Sequence, residues 1–139
     1  MSESTVVYYS PREEIANAVT HGFATIASIV GLVLLIAFAL KFSGDTVLVT
    51  SVTIFGASMI LLYLASTLYH AISHPRAKQV LQLLDHAMIF VLIAGSFTPF
   101  CLVTLEGIVG YVLCAAVWAI AIIGVTMQSF LLKKSDWIS

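Results

Sequence analysis

Charge is scarce in this 139-residue sequence. Asp, Glu, Lys and Arg make up 9% of it, against about 25% in an ordinary soluble domain. Six basic and seven acidic side chains cannot cover the surface of a water-soluble globule. Polarity and net charge are also too low for a disordered chain. Cysteine is nearly absent. Cys101 and Cys114 both lie inside apolar runs, which excludes a disulfide scaffold and marks them as apolar fillers. Net charge is −1 and no basic run exceeds Lys133-Lys134, so no nucleic-acid partner is expected. Apolar residues are what the chain has, at 60%, with a mean hydropathy of +1.07. An integral membrane protein remains, one domain with room for four or five spans of about 20 residues.

Charges and turn residues divide the chain into four apolar runs. The spans are expected at residues 20–40, 47–73, 80–105 and 108–132. Each run exceeds the ~18 residues that mark a spanning helix, and none alternates as a barrel strand would. The fold class is therefore all-α, a multipass transmembrane helical bundle. Lys41 to Asp45 reads as a polar turn, and His74 to Lys78 as a break. Glu106 reads as a solvated turn between the last two spans. Ser10, Pro11 and Glu13 form a helix-start signature, so a helix should begin at Pro11, outside the bilayer. Residues 1–19 then form a cytoplasmic juxtamembrane segment and residues 133–139 a cytoplasmic tail that reads as the start of a loop. Arg12, Arg76, Lys78, Lys133 and Lys134 fall on one side of a four-span chain and only Lys41 on the other. That asymmetry predicts cytoplasmic termini in a bacterial inner membrane. Tyr8, Tyr9 and Trp137 are candidate interfacial anchors. No GxxxG occurs, but Gly56, Ala57 and Ser58 are small enough to allow close helix approach.

Polar groups inside a bilayer are costly, so their placement is informative. Glu13, Asn17 and His21 are spaced four apart on one face of the first helix, with Glu14, Thr25 and Ser28 near the same stripe. Ser66 and His70 are four apart in the second. Asp85 and Ser96 share a face of the third, while His86 points about 100° away from Asp85. Topology brings Glu13, Asn17, His21, Ser66, His70, Asp85 and His86 to one depth, in the inner leaflet. Imidazole plus carboxylate is a zinc-type donor set, and zinc makes water nucleophilic near neutral pH. A proton relay would use the same residue types, and hydrogen bonding between helices would as well. His70 and His74 have the spacing of helical zinc ligands, but Pro75 should end the helix there, leaving His74 in a loop. Pro99 should kink the third helix near Gly95, with Ser96 or Thr98 satisfying a freed carbonyl.

The run Glu13-Glu14-Ile-Ala-Asn17-Ala-Val-Thr20-His21 resembles the opening motif of the hemolysin III family, within the progestin and adipoQ receptor (PAQR) group. Ser66-Thr-Leu-Tyr-His70 resembles its Ser-x3-His motif, and Leu84-Asp85-His86 through Pro99 its third-helix motif. The resemblance implies seven helices, of which these would be the first four. It implies zinc near the inner leaflet, with His70 as a direct ligand and Asp85 reaching it through a water. It places Ser66 beside the site, where it could stabilise an oxyanion. Glu13, Asn17, His21 and His86 are weaker supporting candidates. The family's His-x3-His motif near its last helix has no counterpart here, since all four histidines precede residue 87. The chain is accordingly read as the front of a longer protein and inactive by itself. The expected activity is zinc-dependent hydrolysis of a lipid amide or ester, or a receptor-like role, with membrane lipids as partners. A pore-forming cytolysin or membrane-stress component without catalysis is the alternative. Oligomeric state is not legible.

Overall fold

The computed structural model describes the backbone of residues 9–137 and the side chains of residues 9–130. Four long helices follow one another: α1 (Pro11–Phe42), α2 (Thr46–Ala71), α3 (Pro75–Pro99) and α4 (Gly107–Trp137). A six-residue π-helical segment, Phe100–Leu105, joins α3 to α4. All four helices are long and apolar enough to cross a membrane.

Local chemistry sets the helix ends. The Ser10 hydroxyl accepts from the Glu13 amide at 3.4 Å, and Glu13 Oε2 accepts from the Ser10 amide at 2.8 Å. Pro11 follows as the first helical residue, where its missing N–H is no loss. At about 1.5 Å per residue, α1 is longer than a hydrocarbon core of about 30 Å, so its first turns extend beyond the apolar layer. The turn after α1 closes with the Ser43 and Gly44 amides both donating to the Ala39 carbonyl, and Gly44 takes φ +66°. Asp45 then caps α2 by accepting from the Leu48 amide at 2.9 Å.

Three boundaries differ from expectation. The loop between α2 and α3 is only three residues long, 72–74, because Pro75 starts α3 rather than interrupting it. Lys78 therefore lies in the first turn of a helix, not in a loop. The irregularity at Pro99 lies after it, as π turns. Ser96 and Thr98 donate to the Ile93 and Ala94 carbonyls, not to the Gly95 carbonyl that Pro99 leaves without its usual amide. Finally, α4 runs through Lys133 and Lys134 to Trp137, where a loop was expected. Lysine ends an apolar run without ending a helix. Glu106 is an exposed turn residue at φ +50°, as its position suggested. Tyr8, the side chains of Lys133, Lys134 and Trp137, and residues 138–139 lie outside the described residues.

Each helix packs against its neighbours in sequence. The α1 backbone approaches only that of α2, with α3 reaching α1 through a side chain at one end, and α4 packs on α3 and the π segment. The interfaces are made of small residues: Ser51, Ala65, Ser66, Ala87, Ala94 and Ala121 are all buried. Large apolar side chains face outward, with Phe23 71%, Phe130 73% and Ile108 76% exposed. This arrangement suits lipid, where apolar side chains gain nothing by turning inward and close backbone approach supplies the attraction. Gly95 faces Ser58 across α2 and α3, and a Cβ there would fall 2.9 Å from the Ser58 Cβ. Gly56 approaches Leu32 of α1 in the same manner. Cys101 is fully buried, Cys114 half-buried, and both are free thiols.

Hydroxyls in the helix interiors mostly donate to their own backbone, as Ser28 does to the Ala24 carbonyl and Ser51 to the Val47 carbonyl. Thr98 does both jobs: it donates to the Ala94 carbonyl and accepts from the Trp118 indole N–H at 3.1 Å, joining α3 to α4.

Two outcomes follow for unfolding in mixed detergent and SDS micelles. Gly95→Ala should destabilise the bundle by about 1–3 kcal/mol through overpacking, whereas Gly31→Ala, where nothing lies within 4 Å, should leave stability unchanged or higher. Thr98→Val should cost about 1 kcal/mol, because it strands the Trp118 donor.

Candidate functional site

The first turns of α1, the last turns of α2 and the first turn of α3 meet at one end of the bundle. Glu14 stands at their centre. Its Oε2 lies 2.7 Å from His70 Nδ1, and its Oε1 accepts from Lys78 Nζ at 2.7 Å. Lys78 donates also to the Tyr69 carbonyl at 3.0 Å and sits 4.7 Å from the centre of the Tyr69 ring. One side chain from each of three helices is thus joined through a single carboxylate. The side chains of Lys78, His70 and Glu14 are only 4%, 7% and 17% exposed. Burial of a lysine is costly unless its charge and donors are matched. Here an anion, a carbonyl and an aromatic face match them. The Tyr69 carbonyl belongs to the last turn of α2, where the helix dipole also favours a cation.

A second polar pair lies beside the first. His21 Nδ1 is 2.5 Å from Ser66 Oγ. The His21 and His70 rings are 5.9 Å apart, nearly perpendicular. Tyr63 closes on His21 at 6.0 Å, and Tyr9 on His70 at 5.4 Å. Ser66 is 3% exposed, and its hydroxyl bonds across helices where its neighbours bond back to their own. A cavity of about 380 Å³ opens at this end, lined in part by Tyr9, Glu14, His70, Ser73 and Lys78.

The structure brings His21, Ser66 and His70 together, as their spacing suggested. Glu13 does not join them: it is exposed, and its carboxylate is taken by the Ser10 amide. Its neighbour Glu14 supplies the carboxylate instead. Asn17 is half-buried on the same helix. His86 turns to its own helix, with Nδ1 2.7 Å from the Gln82 carbonyl. Asp85 is half-buried, with no hydrogen bond or ion pair among the described residues. His74 is exposed in the short loop, outside α2.

Lys78 is the residue that sequence reasoning passed over, and Glu14 was noted near the stripe of Glu13, Asn17 and His21 without being given a role. Glu14 was findable: it precedes His21 by seven residues, two helical turns, so the two share a face. Lys78 was hidden by the charged and proline-containing stretch around it. Only the recognition of Pro75 as a helix start would have moved it off a loop.

A carboxylate only accepts, so His70 Nδ1 donates to Glu14, and in the neutral ring the lone pair then lies on Nε2. His70 Nε2 has no hydrogen-bond partner among the described residues. Among the described residues, no three His, Cys, Asp or Glu side chains gather closely enough to hold a metal ion by themselves.

A family model described as Haemolysin-III related matches residues 9–139. The chain is 47% identical over 126 residues to the Hemolysin-3 homolog of Bacillus subtilis (strain 168), covering 91% of this chain and 59% of that protein. It is 46% identical over 123 residues to Hemolysin-3 of Bacillus cereus, covering 88% of this chain and 56% of that one. The chain therefore spans less than two thirds of the length of these curated relatives. No solved structure matches it. With the matched region running from Tyr9 through all four helices, the chain belongs to the haemolysin III-related family of integral membrane proteins.

Proposed function

We propose that this chain contributes His70, Asp85 and Ser66 to a metal-dependent site that hydrolyses a lipid amide or ester, or that serves a receptor-like role on the same frame. The carrying observation is the Glu14–His70 contact at 2.7 Å. A carboxylate behind one imidazole nitrogen is the usual support for a histidine that ligates through the other. The donor set suits zinc, which when bound would supply Lewis acidity and a nucleophilic water near neutral pH. His70 would bind it directly through Nε2. Asp85, uncommitted among the described residues, would take part through a water. The further histidines that the PAQR resemblance calls for have no counterpart in these 139 residues.

Ser66 has the complementary task. In the tautomer where His21 donates from Nδ1, the Ser66 hydroxyl proton stays free to stabilise a developing oxyanion. His21 is then a positioning residue for Ser66. Five of the six basic residues fall at the end of the bundle that holds this cluster. That asymmetry supports a cytoplasmic N-terminus and a site in the inner leaflet of a bacterial inner membrane. Membrane lipids would reach it laterally.

The relatives' name, Hemolysin-3, favours a second reading: membrane lysis without catalysis, with polar faces lining a water path. Metal analysis of the purified full-length protein separates the two. Stoichiometric zinc is expected, abolished in His70→Ala and reduced in Asp85→Ala. Unchanged metal content in His70→Ala would overturn the metal site. Dye release from liposomes that survives both substitutions would move the assignment to lysis.

A further inference from the structure

We propose that Lys78 is a positioning residue for His70, acting through Glu14. The functional consequence rests on the reading of His70 as a metal ligand; the positioning itself does not. The contacts form a closed circuit. The His70 ring meets Glu14 Oε2, Glu14 Oε1 meets Lys78 Nζ, and Lys78 Nζ meets the Tyr69 carbonyl. That carbonyl belongs to the peptide bond that leads into His70 itself. Lys78 therefore ties the carboxylate to the backbone of the residue whose ring it holds. One ammonium thus contacts both the backbone that precedes His70 and the carboxylate that meets its ring.

Glu14 alone could not do this. It lies in the first turn of α1, where its side chain keeps some exposure and several rotamers lead to water. An ammonium on Oε1 restricts it to the rotamer in which Oε2 faces His70 Nδ1. The Tyr69 ring beneath Nζ keeps the lysine in place. The result is one ring orientation and one tautomer for His70, with the proton on Nδ1 and the lone pair on Nε2. A lysine acting only as a staple between helices would stabilise the bundle without governing that proton's position.

The test uses the full 139-residue chain in lipid nanodiscs, with ¹⁵N-labelled histidine and no added metal. At about pH 8, where an ordinary imidazole is neutral, ring-nitrogen NMR should show His70 as a single Nδ1-protonated tautomer. Lys78→Met should convert it to a mixture, and Lys78→Arg should restore the single form. Zinc affinity of the full-length protein should fall about tenfold in Lys78→Met and recover in Lys78→Arg. If Lys78→Met keeps the single tautomer, the proposal is overturned and Lys78 is a staple only. If Lys78→Met does not fold, Lys78→Gln replaces it, since a shorter neutral side chain gives up the ion pair while keeping a polar group at the site. The same mixture supports the proposal, and an unchanged tautomer overturns it. If the wild-type protein binds no zinc, the ligand reading fails while the tautomer result still decides the role of Lys78.

Discussion

A carboxylate shared between an ammonium and an imidazole holds the polar end of this bundle. Glu14, Lys78 and His70 come from three helices, and each would be poorly placed alone. A lysine 4% exposed beside apolar helices needs an anion within reach. A carboxylate in the first turn of a helix is favoured by the helix dipole but free to rotate. An imidazole near the end of α2 has two nitrogens and no inherent preference for which one bears the proton. The shared contact answers all three conditions together. Neutral replacement of any one member leaves a buried polar group of the others without its partner.

The rest of the molecule follows from the scarcity of such contacts. Along most of their length the helices adhere through small side chains, with bulky ones turned outward. Attraction of that kind is broad and tolerates sliding or rotation of one helix on another. Directional bonds fix the register at two levels: Thr98 with Trp118 between α3 and α4, and the Glu14 and Ser66 contacts at the other helices. Ser66 stands out because its hydroxyl oxygen meets a side chain across an interface, where most neighbouring hydroxyls donate to their own backbone. The only directional side-chain links between α1 and α2 among the described residues are thus the two histidine contacts of the candidate site. Structure and candidate function share the same atoms.

Features governed by nearest neighbours or by bulk hydropathy were legible in the sequence. The start of α1 at Pro11 is a matter of three residues and one capping geometry. The four spans follow from run length alone. His21, Ser66 and His70 could be placed together because helical spacing and topology set both their faces and their depth. Legibility failed where the outcome depends on which of two adjacent groups wins, or on three elements at once. Glu13 and Glu14 differ by about 100° on the helix, and the cap claims the first while the bundle claims the second. Lys78 is charged, follows a proline and looks like loop; only the arrival of α1 and α2 beside it makes it buried. The π turns after Pro99 and the continuation of α4 past Lys133 likewise reflect backbone bonding that composition does not report.

The polar end of the bundle therefore rests on the energetic link between Glu14 and Lys78. A double-mutant cycle with Glu14→Gln, Lys78→Met and the double variant, followed by reversible unfolding in mixed micelles, measures that link directly. A coupling energy of about 1–3 kcal/mol is expected for a buried, hydrogen-bonded charge pair. Additivity within about 0.3 kcal/mol would mean that the two side chains are neighbours without being partners, and the account would fail.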